Sequence, residues 1–374
     1  MINPNQEAAL AAIGLSPAMR RHIEQFNSSH GDLPSGPPPQ APFLMRLVEL
    51  QRDALTLHDG WQTHLARALP ALHGNFNADP KHDALAVGDW VYASRDAHAQ
   101  WWVHACVPSM TQLARRHHDG RDKITRAVIV SNVDTALLVM GLDHDFSLRR
   151  LERYLALARM SEVQPVVVLS KADLCEPELS QRRLQEVCAL LPAGVQALAL
   201  DLRHTAACQA LAPWTLPGQT LVLLGSSGAG KSTLSNTLIG HGVQDTGPNR
   251  AGDSRGRHTT TSRSLHPLPG GACLIDTPGL RTLRLDADAQ TLGSVFEDIT
   301  QGAMQCRFRN CSHGDEPGCV VREQVAPERL RNYQKLQREA QRDSLSLLQK
   351  REQLRQWKLR SRAHRARERL ERES

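Results

Sequence analysis

The sequence predicts a multidomain chain: a small β-barrel, then an α/β domain with a parallel sheet, then a short helical segment built around a metal site. Three observations predict this. Between Phe43 and about Lys123, short strand-like runs recur with no long helical period. From Arg126 onward, apolar runs alternate with helically spaced segments, the pattern of a sheet whose strands are joined by helices. Near the C-terminus, four Cys and His residues fall within 14 positions, Cys306 to Cys319. A length of 374 residues, 40% of them hydrophobic, supports two or three cores.

Taken in order, residues 1–27 carry two short helical patterns, EAALAAIGL and SPAMRRHIEQF. Ser28 to Pro42 is rich in Pro, Gly and Ser and reads as a linker. FLMRLVELQRDA, from Phe43, fits a strand or a helix. LTLHD, LAVGDWVYAS and QWWVHACV read as strands, with Val87 to Val91 a turn entering one of them. Trp101 and Trp102 are adjacent, so one is expected to pack inward and the other to face out. Several short strands over such a length suggest a small barrel, either purely structural or carrying nucleic acid on one face. Beyond it, AVIVSNVDTALLVMG, QPVVVLS, VQALALD and TLVLL are strand-like; LRRLERYLALARM and QRRLQEVCALL are helical. The apolar run in QPVVVLS is that of a strand buried on both faces.

One stretch carries specific chemistry. Gly225-Ser226-Ser227-Gly228-Ala229-Gly230-Lys231-Ser232-Thr233 matches G-x-x-x-x-G-K-[ST], follows the strand TLVLL and opens the helix STLSNTLI. Its glycines let N–H groups turn toward a phosphate, and the helix N-terminus adds positive potential. Lys231 is placed to reach the β- and γ-phosphates, and the Ser232 hydroxyl to hold Mg²⁺. Asp276-Thr277-Pro278-Gly279 follows the strand ACLI; Asp276 can hold a water on Mg²⁺ and the Gly279 N–H can meet a γ-phosphate. Between them lies Gly256-Arg257-His258-Thr259-Thr260-Thr261, where Thr260 is a candidate Mg²⁺ ligand.

Ser170-Lys171-Ala172-Asp173 follows the strand VVVL. A carboxylate at a strand end can accept N1–H and N2–H₂ of guanine, a pair adenine does not offer, and a lysine stem can lie over the ring. Lys81-His82-Asp83 has the same K-x-D spacing but follows Pro80 and no strand. The candidate guanine reader therefore precedes the P-loop in the chain.

Cys306, Cys311, His313 and Cys319 form C-x₄-C-x-H-x₅-C, a donor set for tetrahedral Zn²⁺ in a closed structural site. Arg307, Arg309 and Arg322 flank it and can meet phosphate. From Lys350 to Arg372 there are ten Lys/Arg and three Asp/Glu, either a solvated helix or one that contacts RNA. The eight cysteines suit a reduced protein with one metal site rather than a disulfide scaffold. The net charge is +6 and the pI about 9.0, which permits a polyanionic partner. No apolar run is long enough for a transmembrane helix, and residues 1–20 show no signal-peptide pattern.

These motifs in this order make the chain resemble the ribosome small-subunit-dependent GTPase A family. The resemblance covers about residues 44–335 and rests on VGDWV, SNVD at Ser131–Asp134, SKAD at Ser170–Asp173, GSSGAGKST at Gly225–Thr233, GRHTTT at Gly256–Thr261, DTPG at Asp276–Gly279, and CRFRNCSHGDEPGC at Cys306–Cys319. It implies an OB-type barrel, a circularly permuted P-loop GTPase domain and a C-terminal zinc-binding helical domain. It further implies a cytoplasmic, monomeric GTP hydrolase with GTP/GDP, Mg²⁺ and one structural Zn²⁺. Such a protein binds the 30S subunit and 16S rRNA late in maturation, is stimulated by the subunit, and does not engage membranes. The domains expected are 1–42 (extension and linker), 43–123 (barrel), 124–290 (permuted G domain), 291–335 (zinc domain) and 336–374 (basic helical extension). Ser170 stands where the family usually has Asn or Thr, and VQALALDLRH shows no clear Ser-Ala match.

The residue after DTPG is Leu280 rather than a water-orienting Gln. His258, beside the threonines of the intervening loop, is therefore the expected water-positioning group, acting with Lys231 and Thr260. Two other classes are compatible with parts of the sequence: a P-loop ATPase or kinase with a zinc module, and an RNA-binding module whose G domain switches with little hydrolysis.

Overall fold

The computed structural model describes residues 4–30, 42–51, 54–69, 85–118, 124–240, 263–277 and 289–344. The chain divides into two compact units. The first comprises 1–117 and 126–284; the second comprises 118–125 and 285–374.

The first unit opens with helices α1 (Pro4–Ala11) and α2 (Pro17–His30). Five strands follow: β1 (Phe43–Leu50), β2 (Leu55–His58), β3 (Thr63–Ala68), β4 (Trp90–Arg95) and β5 (Trp101–Cys106). They pair in the order β1-β2-β3-β5-β4, and β4 returns to β1, so the barrel is closed. Closure leaves no free sheet edge, and Met45, Leu47, Leu57, Val91 and Val103 fill the interior. β1 is the segment whose period fits a strand or a helix, and its burial explains that. Met45 and Leu47 point into the barrel, while Leu44, Arg46 and Val48 are also buried on the opposite face. A strand covered on both faces loses the alternation that marks strands. Of the adjacent tryptophans, Trp101 packs against the barrel core, and Trp102 donates its Nε1–H to Asp96 at 2.9 Å.

β6 (Gln112–His118) and β7 (Ile124–Ser131) form a separate two-stranded sheet. The α/β sheet is built from β8 (Thr135–Gly141), β9 (Gln164–Ser170), β10 (Gln196–Ala199), β11 (Thr220–Leu224), β12 (Ser264–Pro267) and β13 (Cys273–Asp276), in the order β10-β9-β8-β11-β13-β12. All pairings from β10 to β13 are parallel; β12 is antiparallel to β13 and touches β1 at Glu49–Ser264. Helices α3 (Leu148–Met160), α4 (Pro177–Leu190), α5 (Ala206–Ala210) and α6 (Lys231–Ile239) lie between these strands in sequence, as parallel pairing demands. The core gathers Leu137, Val166, Leu221, Leu223, Leu234 and Leu274.

VGDWV and SNVD meet at the seam between barrel and sheet. The Ser131 hydroxyl donates to the Asp89 carboxylate, and the Asn132 side-chain amide donates to the Gly88 carbonyl at 3.0 Å. Asp134 accepts the Thr220 N–H at 2.7 Å, at the start of the strand that carries the P-loop. Arg46, fully buried, reaches from β1 to the carbonyls of Ile13, Gly88 and Asn132 and to the Thr220 hydroxyl, and lies 5.1 Å over the Trp90 ring. One side chain thus ties the N-terminal helices, the barrel and the P-loop strand together.

Over the described residues 289–344 the second unit is helical: α7 (Ala289–Val295), α8 (Glu297–Ala303), α9 (Val320–Gln324) and α10 (Pro327–Ser344). Phe296 packs edge-on to Tyr333 at 5.3 Å, and Arg329 grips Asp298 with two bonds, at 2.7 and 2.9 Å. The long helical pattern expected over 327–373 is described to Ser344; the basic run beyond lies outside the described residues.

Candidate nucleotide and metal sites

β11 sits between β8 and β13, so the loop that leaves its carboxyl end emerges centrally, where parallel sheets hold ligands. Gly225 leaves no choice of residue: a Cβ there would lie 2.3 Å from the Val139 carbonyl oxygen of β8. Gly230, with φ +94°, turns the chain into α6. Lys231 follows at the helix start, its Nζ donating to the carbonyls of Gly225 (2.9 Å) and Ser226 (2.5 Å). The lysine thus curls back along the inside of its own loop. Ser232 and Thr233 are half-buried in the first turn of α6.

Ser170 to Asp173 closes over this loop. The Ser170 hydroxyl, fully buried, donates to the Ala229 carbonyl at 2.6 Å. Lys171 adopts a left-handed conformation (φ 61°), and its ammonium pairs with Asp143 at 2.7 Å. Burial works against the Asp143 charge, but the Lys171 hydrogen bond and charge hold its carboxyl below the usual value. Ala172 donates its N–H to the Leu200 carbonyl at 3.4 Å. Asp173 is bound by Arg203, whose Nε lies 3.3 Å from Asp201. On the other side of β11, Ile275 of β13 pairs with Val222, which sets Asp276, nearly buried, beside the strand end. The Thr277 hydroxyl donates to the Leu223 carbonyl at 3.3 Å. His258, Thr260, Gly279 and Leu280 lie outside the described residues.

The structure adds residues the sequence did not single out. Asp145 accepts the hydroxyl of Ser226 in the P-loop and the guanidinium of Arg150 at 2.6 Å, so it braces the phosphate loop from β8. Asp143 and Arg203 brace Ser170 to Asp173. Leu202 fills the space beside Gly230, its Cδ1 3.3 Å from where a Cβ there would lie. Asp143 and Asp145 follow β8 directly; carboxylates just past a parallel strand's carboxyl end were the available signal.

In the second unit, the ligand atoms of Cys306, Cys311, His313 and Cys319 all lie within 4.8 Å of one another. His313 Nδ1 is 3.5 Å from the Cys319 sulfur and 3.7 Å from that of Cys306, and these two sulfurs are 4.0 Å apart. Tetrahedral Zn²⁺ with thiolate ligands at about 2.3 Å needs ligand separations of about 3.8 Å, so the four residues fit that ion. N–H groups of Val321 and Val320 point at the Cys306 sulfur, the arrangement that stabilises negative charge there. Glu316 ties the connecting loop together, accepting from the Ser312 hydroxyl, the Ser312 N–H (3.0 Å) and the Gly314 N–H (2.8 Å). Those bonds, the Ser312 hydroxyl first, hold its carboxyl at about 2.

Strand order states the class. A Lys-x-Asp loop that precedes the P-loop in sequence but hydrogen-bonds onto it in space, on a sheet joined to a closed five-stranded barrel, defines a circularly permuted P-loop GTPase. Residues 107–286 match the family described as RsgA GTPase. The small ribosomal subunit biogenesis GTPase RsgA of Xylella fastidiosa (strain 9a5c) is 46% identical over 268 residues, covering 70% of this chain and 75% of that one. Its namesake in Opitutus terrae is 43% identical over 321 residues, covering 83% and 84%. The chain belongs to the RsgA GTPase family. Two solved structures share the fold. YjeQ from Thermotoga maritima has a TM-score of 0.57 at 23% identity, covering 80% of this chain and 98% of that one. YloQ, described as a circularly permuted GTPase, has a TM-score of 0.55 at 21% identity, covering 82% and 97%.

Proposed function

We propose that this chain is a cytoplasmic, monomeric GTPase that binds the 30S ribosomal subunit through 16S rRNA, assists its late maturation, and hydrolyses GTP faster when bound. The observation that carries the reading is the Ser170–Ala229 bond, which fixes the base-reading loop on the phosphate loop. The name shared by the relatives supports the ribosomal partner.

In this reading Asp173 accepts the N1–H and N2–H₂ of guanine, and Lys171, steadied by Asp143, lies over the ring. The N–H groups of Gly225 to Thr233 surround the phosphates. Lys231 leaves its own loop carbonyls for the β- and γ-phosphates. Ser232 and Thr260 would hold Mg²⁺, with Asp276 holding a water on it, and the ion would supply charge neutralisation between the phosphates. A water positioned by His258 forms the new bond to the γ-phosphorus as the bond to the β–γ bridging oxygen breaks, and the Gly279 N–H meets a γ-phosphate oxygen. Lys231 and the loop N–H groups stabilise the charge that develops. Cys306, Cys311, His313 and Cys319 hold one structural Zn²⁺.

The test is phosphate release from GTP and from ATP, each with and without purified 30S subunits. GTP hydrolysis that rises severalfold or more with subunits, and little from ATP, is expected. Preference for ATP, or no effect of subunits, overturns the reading.

A further inference from the structure

One end of the barrel carries a cavity of about 370 Å³ that belongs to neither the nucleotide site nor the metal cluster. It opens where β1 and β5 begin and where the β2–β3 and β4–β5 loops turn. Met45, from the barrel core, lines it. Its aromatic wall is Trp101, with Phe43 edge-on at 6.0 Å and His64 tilted at 4.9 Å. Trp61, at the tip of the β2–β3 loop, is 62% exposed.

That exposure is built in. Asp59 accepts the N–H groups of Trp61 and Gln62 from one carboxylate oxygen, each at 2.8 Å, and binds His64 through the other at 2.8 Å. The backbone of the loop is thereby pinned at both ends, with the Trp61 side chain largely exposed at its tip. Gln62 and Arg95 stand on the lining, and Gln6 reaches it from α1, anchored by its bond to the Leu44 carbonyl at 3.3 Å. The N-terminal helix thus completes a site that the barrel alone leaves open on one side.

We propose that this cavity receives one unstacked base of a single-stranded RNA. It rests on the reading above that the partner is ribosomal RNA. Three features select a base over other occupants. Flat indole, phenyl and imidazole surfaces offer stacking that any base satisfies. The amides of Gln6 and Gln62 provide both donors and acceptors for a base edge. Arg95 supplies a cation for the adjoining phosphate, in a chain of net charge +6. A duplex presents neither a free base face nor a profile that enters a cavity of this size.

The test uses the full-length protein and a labelled ten-nucleotide oligouridylate, read by fluorescence anisotropy at low salt, with basal GTP hydrolysis measured alongside. The wild type is expected to bind the single strand and to discriminate against an RNA duplex of equal length. Trp61→Ala should weaken binding about tenfold, Trp61→Phe should retain most of it, and Gln6→Ala should weaken it severalfold. Basal hydrolysis should stay unchanged in all three. Equal affinity of Trp61→Ala and wild type overturns the proposal, as does failure of the wild type to bind. Loss of 30S binding by Trp61→Ala with oligonucleotide binding intact also overturns it, and assigns the cavity to a protein. Failure of subunits to stimulate wild-type hydrolysis counts against the ribosomal reading instead, so the two failures are distinguishable.

Discussion

The hydroxyl of Ser170 donates to the carbonyl of Ala229 at 2.6 Å, joining residues 59 positions apart in the chain. The bond is buried, and it ties the loop that carries Asp173 to the loop of Gly225 to Lys231, the two loops to which the proposed function gives the base and the phosphates. Ser170→Ala removes one hydrogen bond and orphans a carbonyl, at a cost of about 1 kcal/mol. GDP and GTP affinity should fall severalfold by calorimetry, while Ser170→Thr, which keeps the hydroxyl, stays near wild type. Unchanged affinity in Ser170→Ala would show that the two loops are positioned independently.

Arg203 binds the Asp173 carboxylate that the proposed function assigns to guanine. A nucleotide entering the site must share or displace the guanidinium, which stays held by Asp201. Arg203→Ala is therefore expected to tighten GDP binding severalfold. In an Asp173→Asn background the same substitution should have no effect, and GTP should lose its advantage over ATP in competition. Weaker GDP binding in Arg203→Ala would mean that the arginine orients Asp173 rather than competing with its ligand.

Arg46 serves four acceptors that come from the N-terminal helices, the barrel and the P-loop strand. Arg46→Met keeps the volume but leaves buried acceptors without donors, so it should cost on the order of 3 kcal/mol in urea denaturation. Trp90 and the P-loop report on different sides of the seam. Loss of nucleotide affinity together with stability would show that the seam holds β11 in place.

Two barrel histidines give the stability a pH dependence. Burial lowers the affinity of His58 and His104 for protons. His58 Nδ1 also accepts the Gly60 N–H at 3.0 Å, and His104 Nε2 lies 2.6 Å from the Ser94 hydroxyl. Below about pH 6.5 the unfolded chain takes up protons that the folded barrel resists. Stability should therefore fall as the pH drops from 7.5 to 5.5, and replacing both with Gln should flatten the curve. A slope that survives the double substitution would place its origin elsewhere.

Removal of metal should act on the second unit alone. A chelator strong enough to strip Zn²⁺, or Cys311→Ser, is expected to release the loop between α8 and α9 to proteolysis. GDP binding by the first unit should persist. Resistance to proteolysis without metal would mean that the Phe296–Tyr333 packing suffices.

Much of this was legible in the residues. The P-loop, the order of the motifs and the Cys/His spacing each follow a chemical constraint that is local in sequence: backbone turning about phosphate, or four donors about one ion. β8, β9 and β11 were legible because strands buried on both faces are continuously apolar. β1 was ambiguous for the same reason, since burial on both faces hides the period of two. VGDWV and SNVD could be seen but not explained, because their partners lie on other elements.

By itself, then, the sequence determined the barrel, the parallel sheet, the phosphate loop and the donor set for a metal. Only the tertiary structure decided what Ser170 touches, that Arg203 holds Asp173, that Asp143 and Asp145 brace the two loops, and that Gln6 and Trp61 border one cavity. The first set depends on residues a few positions apart, where chain geometry enforces proximity. The second depends on contacts between distant segments, whose closeness arises from how the strands are ordered and packed.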